Sequence, residues 1–182
     1  MKIQIIFGST REGRQGEKVA KWVLGLAKQR KDVESEYIDL KQWNLPFYND
    51  PNEASSGIYS YDYTKKWSRK ISEGDGYIIV TPEYNHGYPA PLKNALDLLY
   101  KEWDGKPVAF ISYGGSVGGA RAVEQLKSVV LELGMVPIYG AVHLVRFSRL
   151  FDEQGNLIES RFETSANKLL DSLMNWVNKL KD

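Results

Sequence analysis

The chain contains no cysteine, and only two of its 182 residues are histidine. Without thiols there is no disulfide, no thiolate nucleophile, no iron–sulfur cluster on cysteine and no Cys-ligated zinc. The two histidines, His86 and His143, stand apart with no carboxylate cluster beside them, so no metal site is expected. Charge of either sign is not in excess: 24 basic against 23 acidic residues leave a formal net charge of +1. That balance gives no support to a nucleic-acid partner or an acidic membrane surface. No apolar run approaches the roughly 18 residues of a membrane-spanning helix. Met1 to Phe7 carries one lysine, a short apolar stretch and then glycine, which reads as a strand and not as a signal peptide. The absence of cysteine suits a reducing compartment, and the expectation is a cytoplasmic protein.

What is present is ordinary in bulk and unusual in detail. The chain is 42% hydrophobic and 26% charged, typical of a globular protein. Its length suits one domain spanning residues 1–182. Lys2 to Phe7 (KIQIIF) predicts a first strand. From Gly16 to Arg30 the apolar residues Val19, Ala20, Val23, Leu24 and Ala27 recur at helical spacing. Val33 to Leu40 predicts a second strand, Trp43 to Ser60 an irregular loop, and Tyr61 to Glu73 a helix. Gly76 to Thr81 (GYIIVT) predicts a central strand, since three successive apolar residues suit burial on both faces.

The alternation continues with a helix over Pro91 to Tyr100 and a strand over Lys106 to Tyr113. A helix follows over Gly119 to Leu133, then a fifth strand within Met135 to Val145. A closing helix over Glu159 to Leu180 has a clear apolar stripe. Strands alternating with helices imply an α/β three-layer sandwich with a parallel sheet and helices on both faces. Five strands suit the flavodoxin-like order 2-1-3-4-5.

In such a sheet the loops after strands one, three and four emerge at one edge, and each is distinctive here. Gly8 to Gly16 (GSTREGRQG) brings two hydroxyls, Arg11 and Arg14, and three glycines to a helix start. Free amides and arginines there favour an anion such as phosphate. The plain alternative is a solvated loop whose Ser9 or Thr10 caps a helix. Neither a Walker-type loop nor a Gly-x-Gly-x-x-Gly fingerprint is present.

Pro82 to Asp97 (PEYNHGYPAPLKNALD) follows the central strand. Pro89 and Pro91 suit the first turn of a helix. Backbone amides and the Asn85 side chain are candidates for the edge of a heteroaromatic ring, with Tyr84 and Tyr88 as apolar walls. The alternative is a proline-rich turn with packed tyrosines. His86 reads as a hydrogen-bonded loop residue. Gly114 to Gly119 (GGSVGG) has four glycines in six positions, which permits close backbone approach to a planar ligand or merely a flexible connection. Together the three loops suit a ligand with a phosphate at one end and a flat ring at the other, as in FMN.

These segments, with SYGGSVGGARA at Ser112 to Ala122, carry a resemblance to the NADPH-dependent FMN reductase family, which includes flavodoxin-like quinone, azo-dye and chromate reductases. The resemblance implies FMN phosphate held by Ser9, Arg11, Gln15 and Gly16. It implies ring contacts from Pro82, Glu83, Tyr84 and Asn85, with Ser112, Gly114 and Gly115 on the other wall. It implies NAD(P)H as reductant, hydride passage through flavin N5 in ping-pong order, and no catalytic acid or base from the protein. A quinone, azo compound, free flavin or similar molecule is the implied acceptor. A homodimer or homotetramer is also implied, with Trp67, Trp103 and Tyr59 to Tyr63 serving either an interface or intrachain packing. A flavodoxin-type electron carrier with a protein partner is the alternative from the binding class.

Overall fold

Strand β1 (Lys2–Phe7) sends Ile3, Ile5 and Phe7 to one side of the sheet and Ile6 to the other, all essentially without solvent exposure. Strands β3 (Gly76–Pro82) and β4 (Pro107–Tyr113) are buried along their whole length. A strand covered on both faces needs apolar residues at odd and even positions alike, which is what GYIIVT and PVAFISY provide. Full burial of each such isoleucine or phenylalanine contributes about 1.5–3 kcal/mol. The computed structural model describes residues 1–181.

The sheet is parallel with order β2-β1-β3-β4 and then an edge position, where β2 is Glu34–Asp39. Helices α1 (Glu17–Lys28) and α6 (Ser160–Lys181) cover one face. Helices α3 (Asp62–Ser72), α4 (Ala90–Asp97) and α5 (Ala120–Glu132) cover the other. The short helix α2 (Leu40–Trp43) begins at Leu40, the last residue of the predicted second strand, and a 3-10 turn at Ala54–Ser56 lies within the predicted irregular loop.

The fifth strand of the predicted order is delivered as two, β5 (Val136–Pro137) and β6 (Val142–Leu144), so the sheet has six strands. Both pair with β4: Val136 lies opposite Pro107, and Val142 opposite Ile111. Four residues separate Pro137 from Val142, against two between Val108 and Ile111. The surplus forms a bulge around Gly140, at φ +88°, with Tyr139 96% exposed. A bulge of this kind interrupts an otherwise open sheet edge and blunts it against pairing with other chains.

Trp67 and Trp103 are fully buried inside the α3–α4 layer, so intrachain packing, not an interface, accounts for both. Their indole nitrogens donate to Ala95 O at 2.8 Å and Leu96 O at 3.1 Å. Those carbonyls belong to the last turn of α4, whose acceptors lack the regular intrahelical donor, and Leu96 O accepts from the Leu99 amide as well, at 3.3 Å. Asn94 performs the converse task from the same helix. Its Oδ1 accepts from the Tyr48 amide at 2.8 Å and its Nδ2 donates to Pro46 O at 2.9 Å. The loop after α2 is thereby tied to the helix that follows the loop after β3.

Candidate active site

The loops after β1, β3 and β4 meet at the carboxyl edge of the sheet, around one cavity of about 730 Å³. That size falls within the range of small-molecule sites, roughly 300–1,000 Å³. Its lining includes Ser9, Arg11 and Gln15 from the first loop, and Pro82, Glu83 and Tyr84 from the second. Gly114 and Gly115 line it from the third. Of the residues marked out by sequence, Gly16, Asn85 and Ser112 are not in the lining, and each has a different job in the structure.

Two arginines of the first loop part ways. Arg14 turns inward and is only 9% exposed, and its guanidinium forks onto both oxygens of Asp39, itself 2% exposed. It also donates to Ser9 O at 2.5 Å and lies over the Phe7 ring at 4.7 Å. The hydrogen bond to Asp39 raises the Arg14 pKa above its ordinary value. Asp39 in turn accepts from the Lys41 amide at 3.0 Å, capping α2. Arg14 therefore fixes the shape of the loop. Arg11 is exposed and makes no ion pair among the described residues, so its guanidinium is free to meet an anion.

Gly16 is required by packing. A Cβ there would lie 2.0 Å from the Tyr113 hydroxyl oxygen. Tyr113 is 5% exposed, and burial pushes its pKa well up, so it stays a neutral phenol. Ser9 is buried, with its hydroxyl 2.8 Å from that of Tyr84. The loops after β1 and β3 are thus joined directly at the cavity.

The loop after β3 forms a ledge whose tip is a tight hairpin. Tyr84 and Gly87 exchange backbone hydrogen bonds of 2.8 and 2.9 Å. The two central residues, Asn85 and His86, both have positive φ, 50° and 68°. That pair defines a turn of the primed type, in which asparagine is favoured because its short polar side chain tolerates the left-handed region. The Glu83 carboxylate is also committed: it accepts from Arg121 Nε at 2.6 Å and from the Arg121 amide at 3.2 Å, in the first turn of α5. Gln125 donates to His86 O at 3.1 Å. The ledge is anchored to α5 at two points, and it is the backbone of Glu83, not its charge, that remains available to a ligand.

The glycine loop is pinned at both ends. Gly114 O and Gly115 O accept from the amides of Phe147 and Arg146, at 3.2 and 2.8 Å. At the other end Ser112, fully buried, is bonded to Gly118 O and His143. Gly118 needs its lack of side chain, since a Cβ would lie 2.9 Å from the backbone of His143 and Val145. At Gly115 a Cβ would meet nothing within 4 Å, so this part of the wall faces open space.

Sequence reasoning missed the fourth contributor. The turn Phe147–Arg149, with Arg146 before it, brings Arg146, Phe147, Ser148 and Arg149 to the same cavity. The available signal was the pair of arginines in VRFSR, directly after a strand that ends at the same edge.

A sequence model for NADPH-dependent FMN reductase matches residues 1–148. An NAD(P)H-dependent FMN reductase of Schizosaccharomyces pombe is 43% identical over 149 residues, covering 80% of this chain and 74% of the relative. An NADPH:quinone oxidoreductase of Arabidopsis thaliana is 33% identical over 156 residues, covering 82% and 77%. Among solved structures, the flavoenzyme NAD(P)H:(acceptor) oxidoreductase FerB of Paracoccus denitrificans superposes with a TM-score of 0.78 at 25% identity, over 98% of this chain and 97% of that one. On the match across most of its length and on these relatives, the chain belongs to the NADPH-dependent FMN reductase family and is an oxidoreductase with a flavodoxin-like fold.

Proposed function

We propose that the protein holds FMN in the cavity at the carboxyl edge and uses it to carry reducing equivalents from NAD(P)H to a quinone, azo compound, free flavin or similar small acceptor. The observation that carries this reading is the convergence of all three sequence-distinct loops on one cavity. The residues present suit the group. Arg11 is a free cation beside Ser9 and Gln15, and Gly115 leaves a wall without side chains.

Arg11, Gln15, Ser9 and the amides leading to Gly16 would hold the phosphate. Pro82, Glu83 and Tyr84 would face the ring from the cavity wall, Glu83 through its backbone, with Asn85 beside them at the hairpin tip and its amide within the same loop. Gly114 and Gly115 would form the opposite wall, with Ser112 supporting it from behind. When bound, FMN supplies the hydride acceptor and two-electron donor that no side chain here can provide. The protein's part is to orient donor and acceptor in turn over one face, the ping-pong order. No acid or base of the chain is needed for that exchange.

We place the protein in the cytoplasm as one domain acting as a homodimer or homotetramer. Phe47 and Ile58, 78% and 67% exposed in the loop before α3, support a covered surface there, next to Tyr59 to Tyr63. Anaerobic mixing of the purified protein with FMN and NADPH tests the central claim. Loss of the flavin absorption near 450 nm, roughly where oxidised flavins absorb, is the expected result, and its persistence would overturn the reading.

A further inference from the structure

Five charged side chains line the cavity: Arg11, Arg14, Glu83, Arg146 and Arg149. Two are neutralised by neighbours outside it, Arg14 by Asp39 and Glu83 by Arg121. Three arginines remain, and none of them makes an ion pair among the described residues. A single phosphate monoester carries about 1.5 to 2 negative charges at neutral pH.

The three cations also reach the cavity from different strand ends. Arg11 comes from the loop after β1, while Arg146 and Arg149 come from the turn after β6. In the sheet β1 and β6 are separated by β3 and β4. Three interstrand steps of about 4.8 Å put the two strand ends on the order of 14 Å apart. One phosphate on the Arg11 loop does not match the charge of all three arginines, and Arg146 and Arg149 have no carboxylate partner among the described residues.

That second pair is built into the wall. Arg146 donates its amide to Gly115 O at 2.8 Å, and Phe147 donates to Gly114 O at 3.2 Å. The Phe147 ring packs on Tyr113 with centroids 4.9 Å apart. Arg146 is held at φ +52°, a conformation that a residue with a Cβ rarely adopts unless its surroundings fix it. The two side chains themselves are exposed toward the cavity.

We infer that Arg146 and Arg149 form a second anion subsite, which takes a phosphoryl group of the nicotinamide dinucleotide. The inference rests on the flavin reading above and extends it to the reductant. Guanidinium forks match phosphate oxygens in pairs, and arginine is the residue best suited to that task. Two phosphoryl sources are available in the dinucleotide. The pyrophosphate is common to both forms, and the 2′-phosphate belongs to NADPH alone.

The test uses FMN-loaded protein titrated with NADP⁺ and with NAD⁺, so that nothing turns over and binding alone is read by calorimetry. The variants are Arg146→Asn, chosen because asparagine tolerates positive φ, Arg149→Gln, and the pair together. Each single change is expected to weaken NADP⁺ binding roughly tenfold or more, with FMN affinity changed less than about twofold. An effect confined to NADP⁺ assigns the subsite to the 2′-phosphate. An equal effect on both nucleotides assigns it to the pyrophosphate. Unchanged affinity for both overturns the inference, as does parallel loss of FMN, which would make these arginines part of the flavin cradle. Failure of the wild-type protein to bind FMN would instead remove the underlying reading. Should Arg146→Asn fail to fold, Arg149→Gln carries the test alone.

Discussion

The Ser112 hydroxyl lies 2.7 Å from His143 Nδ1, joining β4 to β6 directly behind the glycine wall. The same hydroxyl lies 2.7 Å from Gly118 O. A serine has one proton, and a carbonyl oxygen only accepts, so Ser112 donates to Gly118 and His143 must donate from Nδ1. This fixes the histidine tautomer and holds the far end of the glycine loop to the sheet. Ser112→Ala removes both contacts and leaves Gly118 O without its side-chain donor. The expected loss is about 1–3 kcal/mol, read as a lower denaturant midpoint with unchanged m-value.

His143 also gives the protein a pH signature. Burial lowers its pKa below the ordinary value of 6.5, with Lys127 of α5 acting in the same direction and Glu124 against it. The folded state therefore binds its proton less readily than the unfolded chain. The neutral-histidine stability is fully present above the unfolded value and is lost as pH falls through the lower folded one. His143→Asn keeps an N–H donor toward Ser112 and removes the titration. Thermal melts from pH 7.5 down to 5, on the order of the range a histidine spans, should show a smaller acid-side decline in the variant. Identical declines in the two proteins would exclude His143 as their source.

Arg11 and Arg14, three positions apart, should fail in different ways. Arg14→Ala strands a carboxylate that is 2% exposed, and breaking such a pair costs about 3–5 kcal/mol. Arg11→Ala touches no partner and should leave stability within about 0.5 kcal/mol, while weakening FMN by about 1.5–3 kcal/mol. Chemical denaturation and flavin titration on both variants separate the roles. Equal loss of stability in the two would refute the division of labour.

Gly16 supplies a packing test. Gly16→Ala puts a methyl group into the space of the Tyr113 hydroxyl and should cost about 1–3 kcal/mol through overpacking. In a Tyr113→Leu background the clash has no partner, and the cost of the alanine should largely vanish. A double-mutant cycle measures that coupling, and strictly additive effects would show that Gly16 serves something other than Tyr113.

How far the sequence could be read depended on the kind of force involved. The strands GYIIVT and PVAFISY, and the helical stripe Phe162 to Val177, were legible because periodic burial is written directly in residue order. So was the convergence of three loops, because a parallel sheet sends those connections to one edge. Contacts between distant segments were not. Nothing local distinguishes Arg14, paired with Asp39 across 25 positions, from Arg11, and both look like phosphate ligands in GSTREGRQG. Nothing local to Glu83 likewise shows that its carboxylate is held by Arg121, 38 positions away. The split of the fifth strand at Gly140 and the arrival of Arg146 and Arg149 both follow from edge geometry that Met135 to Val145 does not announce.

Asn85 separates a role of the backbone from a role of the side chain. Its φ of 50° is one that alanine adopts at a cost of about 1–2 kcal/mol, whereas glycine adopts it freely. If the asparagine is there for the turn, Asn85→Gly should retain both the hairpin and flavin affinity, and Asn85→Ala should lose stability by about that amount. If the amide group meets the ring edge, both variants should lose FMN affinity alike, by about 0.5–1.5 kcal/mol, whatever their melting temperatures. The hairpin geometry, with Tyr84 and Gly87 paired on either side, favours the first outcome for stability. Flavin titration of the glycine variant decides the second, because glycine alone removes the side chain without disturbing the backbone.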